Sequence, residues 1–318
     1  MVNKKIVCLG GGIGTVNLIK GLKDLFSDIS VVISMADDGG SSGRLRRLYN
    51  VPPLGDLVSC MAALSDSKNP LISKLLTYRF GGNRYGKDSE LGGQKLGNLI
   101  MIAMRDITGS FDKAIELFRE TFKVKGTFLP ATSESVSVFA KTIEGKLIYG
   151  EEKIDLGKYV GKRILEEVHL DPENARANPT AVKSINNADV IVVGPGDLYT
   201  TILPVLIVKD ITKAIIESKA RKIFVVNVAN KPFETKGYRV RDYIKAIEKH
   251  VGLFPFDKVI ANDNFSVKIP VEYKYGYVFD DNLGIQNKLK IIKKDLVDEN
   301  FPLYHNSTKL AKTIAETI

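Results

Sequence analysis

Within ten residues, Asp37-Asp38-Gly39-Gly40-Ser41-Ser42-Gly43-Arg44-Leu45-Arg46 gathers two carboxylates, three glycines, two hydroxyls and two guanidiniums. Glycine lets backbone N–H groups point into a concavity, and serine adds short donors. Arginine offers a planar fork to phosphate oxygens. Asp37 and Asp38 can hold Mg²⁺, which favours one or two carboxylates plus phosphate oxygens, or one of them can take a ribose hydroxyl. Capping of a following helix is the plainer use of either aspartate. Two further loops invite the same reading. Gly10-Gly11-Gly12-Ile13-Gly14 lies between a strand and a helix, where helix-start N–H groups favour a phosphate, although a tight turn needs the same residues. It is neither a dinucleotide fingerprint, since Thr15 stands at the third glycine position, nor a P-loop. Gly194-Pro195-Gly196-Asp197-Leu198-Tyr199-Thr200-Thr201 repeats the arrangement, with hydroxyls opening the following segment.

Strands and helices must position these loops. Ile6 to Leu9 reads as a short apolar strand. A helix follows, with Leu18, Leu22, Leu25 and Phe26 on one face. Ile29 to Met35 reads as a second strand, parallel to the first in a β-α-β unit. Asp56 opens a helical segment over Leu57 to Leu64, and 79–93 reads as a glycine-rich mobile loop. Asn98 and Ser110 stand where they can cap helices. The middle of the chain changes character. Val136 to Thr142 and Leu147 to Tyr149 flank Glu144-Gly145-Lys146 as a β-hairpin, and 151–180 reads as a polar excursion over the sheet. The α/β alternation then resumes with strands at Val190 to Val193, Ile223 to Val228 and Val259 to Ala261. Helices follow at Val240 to Val251 and Thr308 to Ile318. The expectation is one α/β domain over 1–318, with a Rossmann-like, mostly parallel sheet and an inserted or appended sub-region over 133–180. In such sheets ligands collect at the carboxyl ends of strands, so the three loops are expected to share a crevice.

Composition bounds the function. The chain has 318 residues, enough for a large core, and a net charge of +9 that suits an acidic small molecule. Its basic residues are dispersed, so nucleic acid is not the expected partner. Two cysteines, Cys8 and Cys60, fit a reducing compartment and no disulfide framework. No signal-peptide pattern or membrane-length apolar run is evident, and a cytoplasmic protein without membrane insertion is expected. No Ser/His/Asp or Cys/His nucleophile stands out. Of His169, His250 and His305 none lies in a glycine loop, and His250, near a helix end, reads as a partner of the helix dipole.

The order of these segments resembles the YvcK branch of the CofD-like family. The matching motifs are GGGxG, ADDGGSSGRLR over Ala36 to Arg46, Gly55-Asp56, Leu96-Gly97-Asn98, LPAT over Leu129 to Thr132, GPGxLYT, and Glu234-Thr235-Lys236-Gly237-Tyr238. The resemblance implies a Rossmann-like domain with a CofD-type extension. CofD proteins are Mg²⁺-dependent 2-phospho-L-lactate transferases that use a nucleotide diphosphate donor. YvcK-type proteins, called gluconeogenesis factors, bind UDP-sugars such as UDP-N-acetylglucosamine and support cell shape and wall synthesis during gluconeogenic growth. Carried over, Gly11, Gly12 and Gly14 hold the diphosphate. Asp37, Asp38, Ser41, Ser42, Arg44, Asp56 and Asn98 line one wall. Gly194, Gly196, Tyr199 and Thr200 line the other, and Tyr238 meets base or sugar. A homodimer is compatible with this reading. The chain departs from the family pattern at Ile13 (threonine), Val58 and Ser59 (arginine and asparagine), Gln94 (histidine) and Asp197 (serine).

Overall fold

The computed structural model describes residues 2–65, 69–82, 91–281 and 289–318. In chain order its strands are β1 (Val2–Gly10), β2 (Phe26–Ile33), β3 (Thr127–Pro130), β4 (Ser137–Thr142), β5 (Leu147–Tyr149), β6 (Leu165–Asp171), β7 (Val190–Val193), β8 (Arg221–Val225), β9 (Ala229–Asn230), β10 (Lys258–Asn262), β11 (Gly276–Tyr277) and β12 (Lys290–Lys294). Seven form one sheet in the order β12-β10-β8-β7-β1-β2-β3, with every neighbouring pair parallel. The chain winds outward from β1 through β2 to β3, then returns to the far side of β1 with β7. The strand order therefore reverses between β1 and β7, the place where doubly wound sheets open a ligand crevice.

Both faces of this sheet are covered, which is why its strands are apolar throughout rather than alternating. Ile6 and Cys8 of β1 face one core with Val31, Val192 and Ile260, beneath the helices Gly12–Leu22, Gly55–Ala63, Leu96–Thr108 and Ser307–Thr317. Val7 and Leu9 face the other core with Val193 and Phe224. Burial pushes the Cys8 thiol up to about 12 and raises Cys60 as well, so both act as small core residues. The second core is shared with a three-stranded antiparallel sheet, β5-β4-β6, whose Val138, Ile148 and Val168 pack into it. The expected hairpin is β4 and β5, turned at Gly145, whose N–H donates to the Thr142 carbonyl.

Several boundaries differ from the sequence expectation. The second strand is Phe26–Ile33, not Ile29 to Met35, because Ser34 donates to the Gly10 carbonyl and the chain then leaves the sheet. The second parallel strand of the later half is Arg221–Val225, not Ile223 to Val228. Two strands of the seven-stranded sheet went unread, β3, which is four residues long, and β12, which is lysine-rich and half exposed, as did the short β9 and β11 outside it. Residues 151–180 are not a bare excursion. They hold the helix Glu151–Asp155 and strand β6. Asn98 is not a cap: its helix starts at Leu96, and Asn98 sits buried in the first turn. Ser110 does stand at an N-cap, without a side-chain cap bond. Of the loop expected over 79–93, residues 83–90 lie outside the described residues. Among the described residues no helix is long and apolar enough to cross a membrane.

Candidate functional site

The loops after β1 and β7 start level with each other. Leu9 pairs with Val193, and the Gly194 N–H donates to the Leu9 carbonyl at 3.1 Å. They also touch. A Cβ on Gly14 would meet the Pro195 carbonyl carbon at 2.7 Å and the Gly196 nitrogen at 3.1 Å, so only glycine permits this approach. The first loop feeds the helix Gly12–Leu22, whose N-cap residue is Gly11 and which has no side-chain cap bond. Gly12 itself holds φ at +64 with open space beside it. A helix start of this kind leaves backbone N–H groups and the positive end of the helix dipole for an anion.

The second loop is closed from within. The backbone N–H groups of Tyr199 and Thr200 donate to Glu234 Oε2 at 2.9 and 3.3 Å, and the Thr200 hydroxyl donates to Oε1 at 2.8 Å. The Gly196 N–H is taken by Asn227 Oδ1 at 2.9 Å. No regular helix begins there. Leu198–Ile202 is a wide π-type turn. Glu234, with its side chain fully buried, thus stands where an anionic ligand would be expected.

The aspartate-rich segment divides in the same way. Asp37 lines the cavity between the loops. Its carboxyl is pushed up to about 6, first by burial and then by Asp56, against bonds from the Gly39 N–H and Ser42. The rest of the segment faces the protein. Asp38 accepts the Glu152 N–H at 3.1 Å, and the Glu152 carboxylate accepts the Gly40 N–H at 2.9 Å. Ser41 accepts from Arg79 at 3.0 Å, and Ser42 lies against Gly55. Arg44 donates to the Gly92 carbonyl. Arg46 reaches Ser135 and the Val136 carbonyl, at 3.0 and 2.6 Å. These residues join the helix Gly40–Tyr49 to the antiparallel sub-region and to the segment before Leu96.

The cavity measures about 320 Å³. Of the residues singled out in the sequence it gathers Gly11, Gly12, Gly14, Asp37, Asp56, Gly196 and Thr200 into its lining. Asp38, Ser41, Ser42, Arg44, Asn98, Gly194, Tyr199 and Tyr238 are not part of it. Tyr238 instead joins an aromatic group: its hydroxyl lies 2.9 Å from that of Tyr199, and its ring is edge-on to Tyr243. Both amide atoms of Asn98 are buried without a hydrogen-bond partner among the described residues. His250 is not a charged dipole partner. Its Nε2 accepts the Val168 N–H at 2.9 Å, its Nδ1 meets the Ala246 carbonyl, and burial lowers its pKa.

Sequence reasoning missed part of the lining. Glu151 and Asp155 come from the short helix Glu151–Asp155, and Lys231 comes from the turn after β9. Lys231 Nζ lies between three carboxylates: Asp155, Asp197 Oδ2 at 2.7 Å and Glu234 Oε1 at 3.5 Å. Oxygens of these three acids lie within 4.8 Å of one another, a spacing that could hold a metal ion, and the ammonium sits among them. The Asp197 that replaces a serine of the family pattern therefore meets a lysine. Burial, and then Asp37, raises Glu151 well above the usual carboxylate range, with Lys231 opposing. Tyr275, Leu303, Tyr304 and His305 complete the lining from the C-terminal part. No local motif announces them. The last three directly precede the helix Ser307–Thr317, on which the helix Gly12–Leu22 packs so closely that a Cβ at Gly21 would overlap the Ser307 carbonyl.

Comparison with known proteins agrees with this geometry. A family model described as 2-phospho-L-lactate transferase CofD matches residues 6–297. The chain is 38% identical over 305 residues to the gluconeogenesis factor of Bacillus subtilis (strain 168), covering 95% of this chain and 92% of that protein. It is 37% identical over 259 residues to the gluconeogenesis factor of Listeria innocua, covering 81% and 77%. A crystal structure of a UPF0052 family protein from Bacillus halodurans superposes with a TM-score of 0.88 at 34% identity, covering 99% of each chain. A parallel sheet whose strand order reverses between two touching glycine loops, in a chain matched over nearly its whole length by these relatives, makes this chain a member of the CofD family, alongside the gluconeogenesis factors.

Proposed function

We propose that the chain binds a nucleotide diphosphate ligand of the UDP-sugar class, such as UDP-N-acetylglucosamine, in the cavity between β1 and β7. Through that binding it serves as a regulatory protein of gluconeogenic growth, supporting cell shape and wall synthesis. The observation that carries the reading is the uncapped start of the helix Gly12–Leu22 at the strand-order reversal, facing a cavity of nucleotide-fragment size. The second glycine loop offers less, because Glu234 and Asn227 occupy the N–H groups of Tyr199, Thr200 and Gly196. The diphosphate is therefore assigned to Gly11, Gly12 and Gly14.

Charge decides what else must bind. Asp37, Asp56, Glu151, Asp155 and Asp197 line the cavity, and Lys231 in the same lining is paired with Asp155 and Asp197. Such a surface repels a diphosphate unless a divalent ion joins them. Asp37 and Asp56 are the residues to hold Mg²⁺. Their mutual repulsion, seen in the raised Asp37 carboxyl, is what a divalent cation relieves. When bound, the ion would neutralise phosphate charge.

Titration calorimetry with UDP-N-acetylglucosamine tests this. Saturable binding in Mg²⁺ that weakens strongly in chelator and in Asp37→Asn is the expected result. Turnover of a phosphorylated hydroxy-acid nucleotide donor, with release of the nucleotide monophosphate, would move the assignment to a Mg²⁺-dependent phospho-group transferase. Absence of binding by UDP-sugars and by GDP alike overturns the reading.

A further inference from the structure

A second cavity, of about 640 Å³, shares no lining residue with the first. It lies between strand β6 and the helix Lys209–Glu217, and the end of the helix Val240–Val251 closes it. β6 is the edge of the β5-β4-β6 sheet, so the cavity runs along its unpaired side. One ring of that strand is aimed at it. On the outer face of the sheet Tyr149, Phe139 and His169 sit opposite one another and stack, with centroids 5.3 and 5.0 Å apart and planes within 27° and 17°. The two nitrogens of His169 reach along the strand, Nε2 to 3.5 Å from Glu167 and Nδ1 to 3.9 Å from Glu173. The ring plane therefore runs with the strand, and its faces look across the sheet. Phe139 covers one face. The other looks past the edge of β6 toward the cavity that His169 lines, and 37% of the side chain is exposed. The opposite wall supplies charge. Lys209 and Lys213 stand one turn apart on their helix, both exposed, and neither side chain has a hydrogen bond or ion pair among the described residues. Like charges at that spacing repel, and an anion between them relieves the repulsion. The acids of β6 are engaged: Lys249 meets Glu166 and Glu167 at 3.2 and 3.1 Å, and Glu167 and Glu173 flank His169. Glu217 lies about 12 Å from Lys209 along the helix axis. Leu206, Ile207, Ile216 and Val251 add an apolar surface.

We propose that this cavity is a second ligand site, for a planar heteroaromatic ring that carries an anionic group, of the mononucleotide class. The ring adds to the free face of His169 as the fourth member of the Tyr149–Phe139–His169 stack. The phosphate goes to Lys209 and Lys213, near the positive end of their helix. The apolar side chains pack against the body between them. Stacking accepts any base, because every base has a π-face, so the site selects a ring joined to a phosphate more than a particular base edge. The inference does not depend on what fills the first cavity, and it needs no Mg²⁺.

Three probes take the site apart: adenosine monophosphate, adenosine and ribose 5-phosphate, each titrated calorimetrically in chelator so that no Mg²⁺-dependent binding contributes. The monophosphate is expected to bind more tightly than either fragment, since it alone offers both ring and phosphate. His169→Ala should weaken the monophosphate and adenosine by about five- to tenfold, the loss of one base stack, and leave ribose 5-phosphate unchanged. His169→Phe keeps a ring face and should restore the binding. Lys209→Ala combined with Lys213→Ala should weaken the monophosphate and ribose 5-phosphate by about tenfold, the worth of a hydrogen bond to a charged group, and leave adenosine unchanged. Thermal unfolding of each variant confirms that the fold is intact. No binding of the monophosphate at millimolar concentration overturns the proposal. Binding that neither set of substitutions alters also overturns it, by placing the ligand elsewhere. Ribose 5-phosphate or adenosine bound as tightly as the monophosphate overturns the joint recognition of ring and anion. Equal losses in His169→Ala and His169→Phe overturn the stacking role.

Discussion

The loops after β1 and β7 both leave a buried strand through glycines and lie side by side, and their hydrogen bonding differs. After β1, the helix Gly12–Leu22 begins with no side-chain cap. After β7, Glu234 accepts two backbone N–H groups and the Thr200 hydroxyl, and Asn227 accepts the Gly196 N–H. One loop opens a helix with no side-chain cap and with the Asp56 carboxylate against Gly11, and in the other an internal carboxylate and an amide take the N–H groups of Tyr199, Thr200 and Gly196. Glycine content and position in the sheet are common to both. A distant acid lies against each loop, Asp56 at Gly11 and Glu234 at the second, and the difference is that Glu234, 34 to 35 residues away in sequence, takes backbone N–H groups of its loop.

The largest expected effect comes from breaking the closed loop. Glu234→Ala removes the acceptor for Tyr199 and Thr200 and takes one carboxylate from Lys231. It is expected to cost about 3–5 kcal/mol in urea unfolding, the range for breaking a buried ionic network from one side. If this variant gained affinity for pyrophosphate at the second loop, Glu234 would be acting there as a stand-in for phosphate.

Next is Asp37 beside the open loop. Its folded pKa of about 6 lies above the ordinary 3.8, through burial first and Asp56 second. A raised acid binds its proton more tightly folded than unfolded. Its contribution to stability is therefore full below the unfolded value and is lost as pH rises through about 6. Asp37→Asn should remove that loss, making the ligand-free protein more stable at pH 8 by on the order of 2–3 kcal/mol, with little difference near pH 3.5. Thermal unfolding across pH measures this. A wild type as stable as the variant at pH 8 in chelator would count against a strained carboxylate pair.

Gly14→Ala tests the contact between the loops. A Cβ there meets the backbone of Pro195 and Gly196, which cannot swing away as a side chain would. About 1–3 kcal/mol of destabilisation is expected, with loss of diphosphate binding. Normal stability and binding would show that the loops part readily. The smallest effect on stability belongs to Ile13→Thr. Ile13 is 55% exposed in the open loop, so stability should stay within about 0.5 kcal/mol. The added hydroxyl should tighten Mg²⁺-dependent diphosphate binding by up to about tenfold, read by calorimetry. No change would place the phosphates away from this helix start.

The elements themselves were largely legible. Val190–Val193 and the helix Val240–Val251 stand where their hydrophobic patterns put them, because strands buried on both faces and amphipathic helices write their period into the chain. The lysine-rich edge strand β12 was not legible, since its side chains are half exposed and carry no core signal. In the site, Gly11, Gly12, Gly14, Asp37 and Asp56 could be singled out from local composition. Arg44 and Ser41 looked equally suited to phosphate, and they bind the Gly92 carbonyl and Arg79 instead. A guanidinium or hydroxyl suits a backbone carbonyl as well as a phosphate, and residue type alone does not choose between them.

The sequence by itself determined the alternation of strand and helix, the glycine loops at strand ends and the acid that follows the second strand. Each is a matter of local period and backbone freedom. Tertiary structure decided which loop stays open, because Glu234 and Asn227 reach one of them across the sheet's carboxyl edge. It also paired Asp37 with Asp56 rather than with its neighbour Asp38, and set Lys231 among three carboxylates. Finally, it brought His305 into the lining of a cavity whose glycines lie nearly three hundred residues earlier in the chain. Hydrogen-bond satisfaction and charge pairing depend on distances in space, and no window of sequence contains those distances.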